Sequence, residues 1–268
     1  MSIKLVAIDI DGTLLNSKKE ITPDVFQAIQ DAKTAGVKIV ITTGRPIVGV
    51  SKLLKELHLM DPGDYVITFN GGLVQETATG KELIKDLLTY EDYLDIESLA
   101  NKLQIHSHAI TKDGIYTSNR DIGRYTIHES QLVNMPLYYR TPEEVREKEF
   151  VKAMYIDEPD ILDAAIAKIP QEFQDRFTMV KSASFYLEIL GKTTNKGAAL
   201  LHLAQRLGIQ QEKTMAIGDE ENDRSMLEVV GHAVVMENGN PALKKIATSI
   251  TKSNDESGVA YAIRKWVL

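Results

Sequence analysis

Two aspartates separated by one residue follow the first apolar run of the chain. Residues 4–8 are mostly apolar and predict a buried strand, and the motif Asp9-Ile10-Asp11-Gly12-Thr13 comes directly after it. Alternate residues of an extended chain point to the same side, so the carboxylates of Asp9 and Asp11 can converge on one reacting atom. Such a pair suits a nucleophile and a general acid/base. The structural alternative is a strand-end turn capped by Asp9.

A second motif, Thr43-Gly44-Arg45, follows the apolar run of residues 37–42. A threonine hydroxyl and the free N–H groups of a helix start can hold a phosphate oxygen. Thr43 is favoured over Thr42 because it directly precedes Gly44. A helix cap followed by a glycine turn would explain the same residues without any ligand.

Two further motifs lie in the last third of the chain. Lys196 is at the predicted start of a helix, where the helix dipole disfavours a cation unless an anion is nearby. An ordinary surface lysine is the alternative reading. Residues 218–223, with the sequence GDEEND, place four acidic side chains in one turn. Their mutual repulsion favours a bound cation, and ligands that are all oxygen favour Mg²⁺, whereas a solvated acidic loop needs no ion.

Taken in this order, the four motifs resemble the haloacid dehalogenase (HAD) superfamily. An aspartate at position 11 resembles the phosphatases of that superfamily. The long insert between the second and third motifs resembles the Cof-type branch, which carries a large α/β cap of the C2B type. Residues 116–122, 128–130 and 187–190 are similar to the YidA-like sugar phosphatases of this branch.

The resemblance implies a role for each motif residue. Asp9 would attack phosphorus, and Asp11 would protonate the leaving oxygen and then activate water. For this role Asp11 must have a pKa above the ordinary aspartate value of about 3.9, and we expect burial and the incoming phosphate to raise it. The phosphoryl oxygens would be held by the main chain of Ile10 together with Thr43, Gly44, Lys196 and Asn222. The cofactor Mg²⁺ would bind the Asp9 carboxylate, the Asp11 backbone carbonyl and the Asp219 carboxylate, with Asp223 as a supporting residue.

The order of strand and helix patterns predicts an α/β protein with an inserted lid. Residues 1–82 and 190–268 alternate strands and helices, which is typical of a Rossmann-like core with a parallel sheet. Residues 83–189 predict an α+β cap domain. Within it, residues 117–149 read as a long polar connection, and the polar positions between 119 and 129 are candidate substrate contacts.

Composition narrows the function classes. The net charge of -7 argues against nucleic acid and anionic membrane as partners, and the chain has no cysteine for disulfides or thiolate chemistry. The first residues lack the pattern of a signal peptide, so we expect a cytoplasmic protein. The expected partner is a small phosphorylated metabolite, with sugar phosphate as the leading class, and the expected state is a monomer or homodimer.

Two other functions fit the same motifs. A phosphosugar mutase shares the nucleophilic aspartate and a similar cap, but returns the phosphoryl group to its product. A signalling module would be phosphorylated on Asp9 without turnover. The large insert, Lys196 and the 218–223 turn argue against the signalling module. An assay for multiple-turnover release of free phosphate would distinguish a phosphatase from both the mutase and the signalling module.

Overall fold

Alternating apolar runs and amphipathic segments build two units in the computed structural model, which describes residues 2–268. The first unit contains the chain up to Gly44, Val50–Ile84 and Asn195–Leu268. The second contains Arg45–Gly49 and Lys85–Thr194.

The N-terminal part supplies the first strands of the core unit. Helix α1 illustrates how local sequence sets its limits: the Thr22 hydroxyl accepts the Val25 N–H at 3.3 Å, and Pro23 occupies the first helical position. The elements of this part are β1 (Leu5–Asp9), α1 (Pro23–Thr34), β2 (Lys38–Thr42), α2 (Ser51–Glu56), β3 (Tyr65–Thr68), β4 (Leu73–Glu76) and β5 (Glu82–Lys85).

The insert has its own sheet and its own apolar core. Tyr93, Phe150 and Tyr155 are among its fully buried side chains. Its elements are α3 (Tyr90–Leu103), β6 (His106–Ile110), β7 (Ile115–Thr117), α4 (Arg124–Val133), β8 (Leu137–Tyr139), β9 (Lys152–Ile156), α5 (Pro159–Ile166), α6 (Gln171–Arg176), β10 (Phe177–Ala183) and β11 (Tyr186–Gly191).

The C-terminal part returns to the core unit. Its elements are α7 (Lys196–Arg206), β12 (Thr214–Gly218), α8 (Arg224–Val229), β13 (His232–Val235), α9 (Pro241–Lys244), β14 (Ser249–Ile250) and α10 (Gly258–Trp266). A 3₁₀ turn, Glu221–Asp223, precedes α8.

The two sheets differ in strand direction. The core sheet has the order β14-β13-β12-β1-β2-β3-β4-β5, and its strands from β14 to β3 are parallel. Strand β4 is antiparallel to β3. The sheet of the insert has the order β10-β11-β9-β6-β7-β8 and is antiparallel except for the pair β7–β8. The predicted fold class, a parallel α/β core with an α+β insert, is confirmed.

One predicted segment is wrong in detail. Residues 117–149 are not a plain polar connection, because they contain α4, β8 and a 3₁₀ turn, Pro142–Val145. The buried positions of α4 are Thr126, Glu129 and Val133, which recur at helical spacing. Two of these three side chains are polar, so a search for apolar periodicity does not find the helix.

Within residues 2–268, no helix combines the length and the apolar character that crossing a membrane requires.

Candidate active site

The predicted chemical motifs leave the core sheet at one edge. Strands β12, β1, β2 and β3 are adjacent and parallel, so their carboxyl ends face the same side. Strand β1 ends at Asp9, β2 at Thr42 and β12 at Gly218, and Asp9 and Thr42 are direct neighbours in the register. This edge is where open α/β sheets bind ligands.

Lys196 joins two of the predicted aspartates. The Asn195 carboxamide accepts the Ala198 N–H at 2.8 Å and so caps α7, which makes Lys196 the first helical residue. Its side chain is fully buried, and its Nζ lies 2.5 Å from Asp9 Oδ1 and 2.7 Å from Asp223 Oδ1. A buried ammonium between two buried carboxylates is therefore the centre of the site.

Burial and charge shift the pKa values of these groups in opposite directions. Burial raises the pKa of Asp9 to about 7, although the Lys196 ammonium lowers it in part. Burial alone would lower the pKa of Lys196, but the carboxylates of Asp223 and Asp9 together raise it above its ordinary value. Lys196 is thus charged at any physiological pH, whereas the raised pKa of Asp9 means that additional positive charge nearby would favour its ionised form.

Asp219 completes a group of carboxylates. Within residues 2–268, the acidic side chains of Asp9, Asp219 and Asp223 form a group whose ligand oxygens lie within 4.8 Å of one another. Burial raises the pKa of Asp219 to about 6, against a hydrogen bond from Thr13 that lowers it. Three carboxylates this close require a proton or a cation between them.

Two residues of the first motif fix the position of Asp219. The Thr13 hydroxyl donates a hydrogen bond to Asp219 Oδ1 at 2.7 Å. Gly12 has φ of 82°, and a Cβ built there would lie 2.2 Å from Asp219 Oδ2. Only glycine fits this approach. The sequence motif contained Thr13, but its role as the partner of Asp219 was not predicted.

Asp223 is held more firmly than a solvated acidic residue would be. It is fully buried, and its Oδ2 accepts the backbone N–H groups of Asp219 at 2.9 Å and Glu220 at 3.2 Å. Its Oδ1 faces Lys196. A Cβ on Gly218 would lie 2.6 Å from Asp223 Oδ2, so this glycine also makes room for the carboxylate.

Asp11 differs from the sequence expectation. Its side chain is 43% exposed and pairs with Lys19 Nζ at 3.0 Å. The expected burial is wrong in this structure, because the loop beyond β1 turns at Gly12 and leaves the side chain toward solvent. Asp11 is not one of the three clustered carboxylates.

The predicted phosphate-binding residues occupy neighbouring loops. Thr42 is fully buried, with its hydroxyl 3.5 Å from the Met226 sulfur, which leaves Thr43 as the candidate ligand. A Cβ built on Gly44 would lie 3.1 Å from Asn70 Nδ2, and Asn222 Nδ2 lies 3.5 Å from Asn70 Oδ1. Asn70 therefore links the loops that carry Gly44 and Asn222, a connection that the sequence did not reveal.

Comparison with known proteins places the chain in a family. A family model described as haloacid dehalogenase-like hydrolase matches residues 6–263. The chain is 65% identical over 268 residues, the full length of both proteins, to the putative phosphatase M6_Spy0533 of Streptococcus pyogenes serotype M6. It is 44% identical over 266 residues to the putative phosphatase YxeH of Bacillus subtilis, covering 99% of this chain and 98% of that protein.

A solved structure has the same fold. The haloacid dehalogenase-like hydrolase of Bacteroides thetaiotaomicron superposes with a TM-score of 0.86 at 27% identity, covering 98% of this chain and 99% of that one. The chain belongs to the haloacid dehalogenase-like hydrolase family. The predicted resemblance to this superfamily and to its Cof-type branch is confirmed.

Proposed function

We propose that the protein is a Mg²⁺-dependent phosphatase that releases orthophosphate from small phosphomonoesters, with sugar phosphates as the substrate class, through an aspartyl-phosphate on Asp9. The broader class, a phosphomonoester hydrolase, follows from the family membership and the full-length relatives. The finer proposal rests on one observation. A buried carboxylate, Asp9, lies at a strand end, in contact with the Lys196 ammonium and grouped with the carboxylates of Asp219 and Asp223.

The donor set fits a hard divalent cation. Asp9, Asp219 and Asp223 offer only carboxylate oxygens, which Mg²⁺ prefers. Burial, with a smaller effect of the Asp223 and Asp219 charges, raises the pKa of Asp9 to about 7. When bound, Mg²⁺ would supply positive charge to Asp9 and to the phosphate oxygens. We assign the Asp9 and Asp219 carboxylates and the Asp11 carbonyl as its ligands, with Asp223 holding Lys196 in place.

The residues of the chain then carry the chemistry. An Asp9 oxygen attacks phosphorus while the bond from phosphorus to the ester oxygen breaks, and Asp11 gives its proton to that oxygen. Asp11, now a carboxylate, takes a proton from water, whose oxygen attacks phosphorus and releases Asp9. Its 43% exposed side chain pairs with Lys19, so Asp11 must leave this ion pair before it donates its proton. Lys196, Thr43, Gly44, Asn222 and the main chain of Ile10 bind the phosphoryl oxygens.

The sugar-phosphate class is supported by the sequence resemblance, which extends to residues 116–122, 128–130 and 187–190. The cytoplasmic location and the monomeric or dimeric state stay predictions of the sequence.

The test is multiple-turnover release of orthophosphate from a panel of hexose, pentose, polyol and triose phosphates. Each ester is assayed with Mg²⁺ and with a chelator, for wild type, Asp9→Asn and the exposed control Asp160→Asn. We expect Mg²⁺-dependent release by wild type and Asp160→Asn, and none by Asp9→Asn. The best ester in the panel identifies the substrate class.

Each other outcome contradicts a defined part of the proposal. Full release of orthophosphate in the presence of chelator would contradict the metal requirement. Unchanged release by Asp9→Asn would contradict the assignment of Asp9 as the nucleophile. Conversion of one sugar phosphate into an isomer without free phosphate indicates a mutase, and a stable phosphorylated protein without turnover indicates a signalling module.

A further inference from the structure

The turn after β3 has an unusual backbone. Phe69 and Asn70 are consecutive non-glycine residues with φ of 53° and 54°, in the left-handed region. Asparagine adopts this conformation readily, but for a bulky residue such as phenylalanine it is an outlier. Phe69 is almost fully buried, with 1% of its surface exposed. Strain of this kind persists where surrounding contacts impose it, and such places are often functional sites.

The contacts of Asn70 lead to the proposed phosphate ligands. Its backbone N–H donates to the Thr43 carbonyl at 2.9 Å. Its carboxamide lies against Gly44, where a Cβ would come within 3.1 Å of Nδ2 and 3.3 Å of Oδ1. Its Oδ1 is 3.5 Å from Asn222 Nδ2. One side chain, itself 7% exposed, thus contacts the loop after β2 and the turn after β12.

The next residue ties the same turn to the start of α7. Gly71 has φ of 105°, and a Cβ built there would lie 2.3 Å from the Asn195 carbonyl oxygen and 3.1 Å from the Lys196 backbone nitrogen. The turn Phe69–Gly71 therefore contacts the backbone that positions Lys196 as well as Thr43, Gly44 and Asn222.

We infer that Asn70 is a positioning residue of the phosphate site, which orients Asn222 and the Thr43–Gly44 backbone toward the phosphoryl group. The kinetic part of this inference rests on the proposed function, whereas the test by orthophosphate binding does not. The left-handed turn brings the Asn70 carboxamide between the loop after β2 and the turn after β12. A glycine at position 70 would keep the turn and lose the carboxamide.

The experiment compares Asn70→Gly with a matched control. Asn134 has φ of 53° and ψ of 47° at the end of α4, is exposed, and lies outside the site, so Asn134→Gly reports the general effect of glycine in this conformation. Orthophosphate binding in the presence of Mg²⁺ is measured by calorimetry for both variants, for Asn222→Ala and for Asn70→Gly combined with Asn222→Ala. Kinetics on the best ester and Tm are measured in parallel.

We expect Asn70→Gly to weaken orthophosphate binding and to raise KM, each by about 10-fold, within the range of residues that orient primary ligands. Its Tm should match that of Asn134→Gly. Because Asn70 acts in part through Asn222, the effect of Asn70→Gly should be at least about twofold smaller in the Asn222→Ala background.

Two results would overturn the inference. One is that Asn70→Gly leaves orthophosphate affinity and KM within about twofold of wild type, and that any loss of kcat follows the fall in Tm. Such a result would mean that Asn70 has a purely structural role. The other is that Asn70→Gly has the same effect on orthophosphate affinity in the wild-type and Asn222→Ala backgrounds. Absence of turnover in wild type would remove the proposed function alone, because the binding comparison still decides the role of Asn70.

Discussion

Removal of the Lys196 charge is the most direct test of the buried cluster. Lys196→Met keeps the length of the side chain and leaves Asp9 and Asp223 without the ammonium that lies 2.5 and 2.7 Å from them. Breaking a buried ion pair by removing one partner costs about 3–5 kcal/mol of the free energy of unfolding. A domain has about 5–15 kcal/mol in total, so the variant should be folded but much less stable.

The pH dependence gives this prediction its sign. Burial already raises the pKa of Asp9 to about 7, and Lys196 is the group that lowers it, so the variant raises it further. A raised carboxyl pKa means that the folded state holds a proton which the unfolded state releases, and stability falls as pH rises until the folded pKa is passed. In wild type this fall ends near pH 7. In Lys196→Met it continues, at about 1.4 kcal/mol for each further pH unit.

The assay is urea unfolding with a chelator at several pH values between about 5.5 and 8.5. Lys152→Met is the matched control, because Lys152 is also buried and pairs with Glu188 at 3.2 Å, in the insert. Both variants should lose stability. Addition of Mg²⁺ should stabilise Lys196→Met more than it stabilises wild type, because the ion supplies charge beside Asp9, and it should give Lys152→Met no such excess.

A loss below about 1 kcal/mol at every pH would refute the reasoning, since it would mean that the carboxylates do not depend on Lys196. A loss that shrinks as pH rises from about 7 to 8.5 would also refute it, because the sign would then be opposite to that of a raised Asp9 pKa.

Two further predictions concern pH. Mg²⁺ binding requires ionised ligands, and burial raises the pKa of Asp9 to about 7 and that of Asp219 to about 6. The Mg²⁺ affinity measured by calorimetry should therefore fall steeply below about pH 7. A Mg²⁺ affinity that does not change between about pH 8 and 5.5 would contradict the ligand assignment. His108 is fully buried with neither ring nitrogen hydrogen-bonded, and burial, with a smaller effect of Lys152, lowers its pKa to about 3. Below about pH 6.5 His108 therefore binds a proton in the unfolded state but not in the folded state, which lowers the free energy of unfolding. His108→Leu should remove up to about 1.4 kcal/mol of this destabilisation for each pH unit from 6.5 to 3. Equal acid unfolding of wild type and His108→Leu would contradict this.

Local sequence was sufficient to predict the fold class and to place the candidate site residues at strand ends. Apolar runs followed by aspartate, threonine or glycine mark strand ends whatever the rest of the chain does, so the motifs at Asp9, Thr43 and Asp219 lie at the predicted edge of the sheet. The insert was harder, because α4 buries Thr126 and Glu129 on its inner face and shows little apolar periodicity.

Contacts between distant residues were beyond the reach of the sequence. The bond from Lys196 to Asp9 spans 187 positions, and that from Thr13 to Asp219 spans 206, so no spacing rule could pair them. Asn70 is similar: its sequence Asn-Gly-Gly is typical of a plain turn, and only the close approach of Gly44 and Asn222 distinguishes it. The exposure of Asp11 depends on the path of the chain beyond Gly12, which a motif does not specify.

The strand order also has a consequence for how the protein emerges from the ribosome. Strand β1 lies between β2 and β12, and β12 begins at Thr214, so one side of the strand that carries Asp9 has no partner until most of the chain has been made. Meanwhile the insert, which ends at Thr194, can complete its own sheet and core. An open apolar edge of this kind is prone to pairing with other nascent chains. We therefore expect that slow translation between the insert and β12 lowers the yield of folded enzyme.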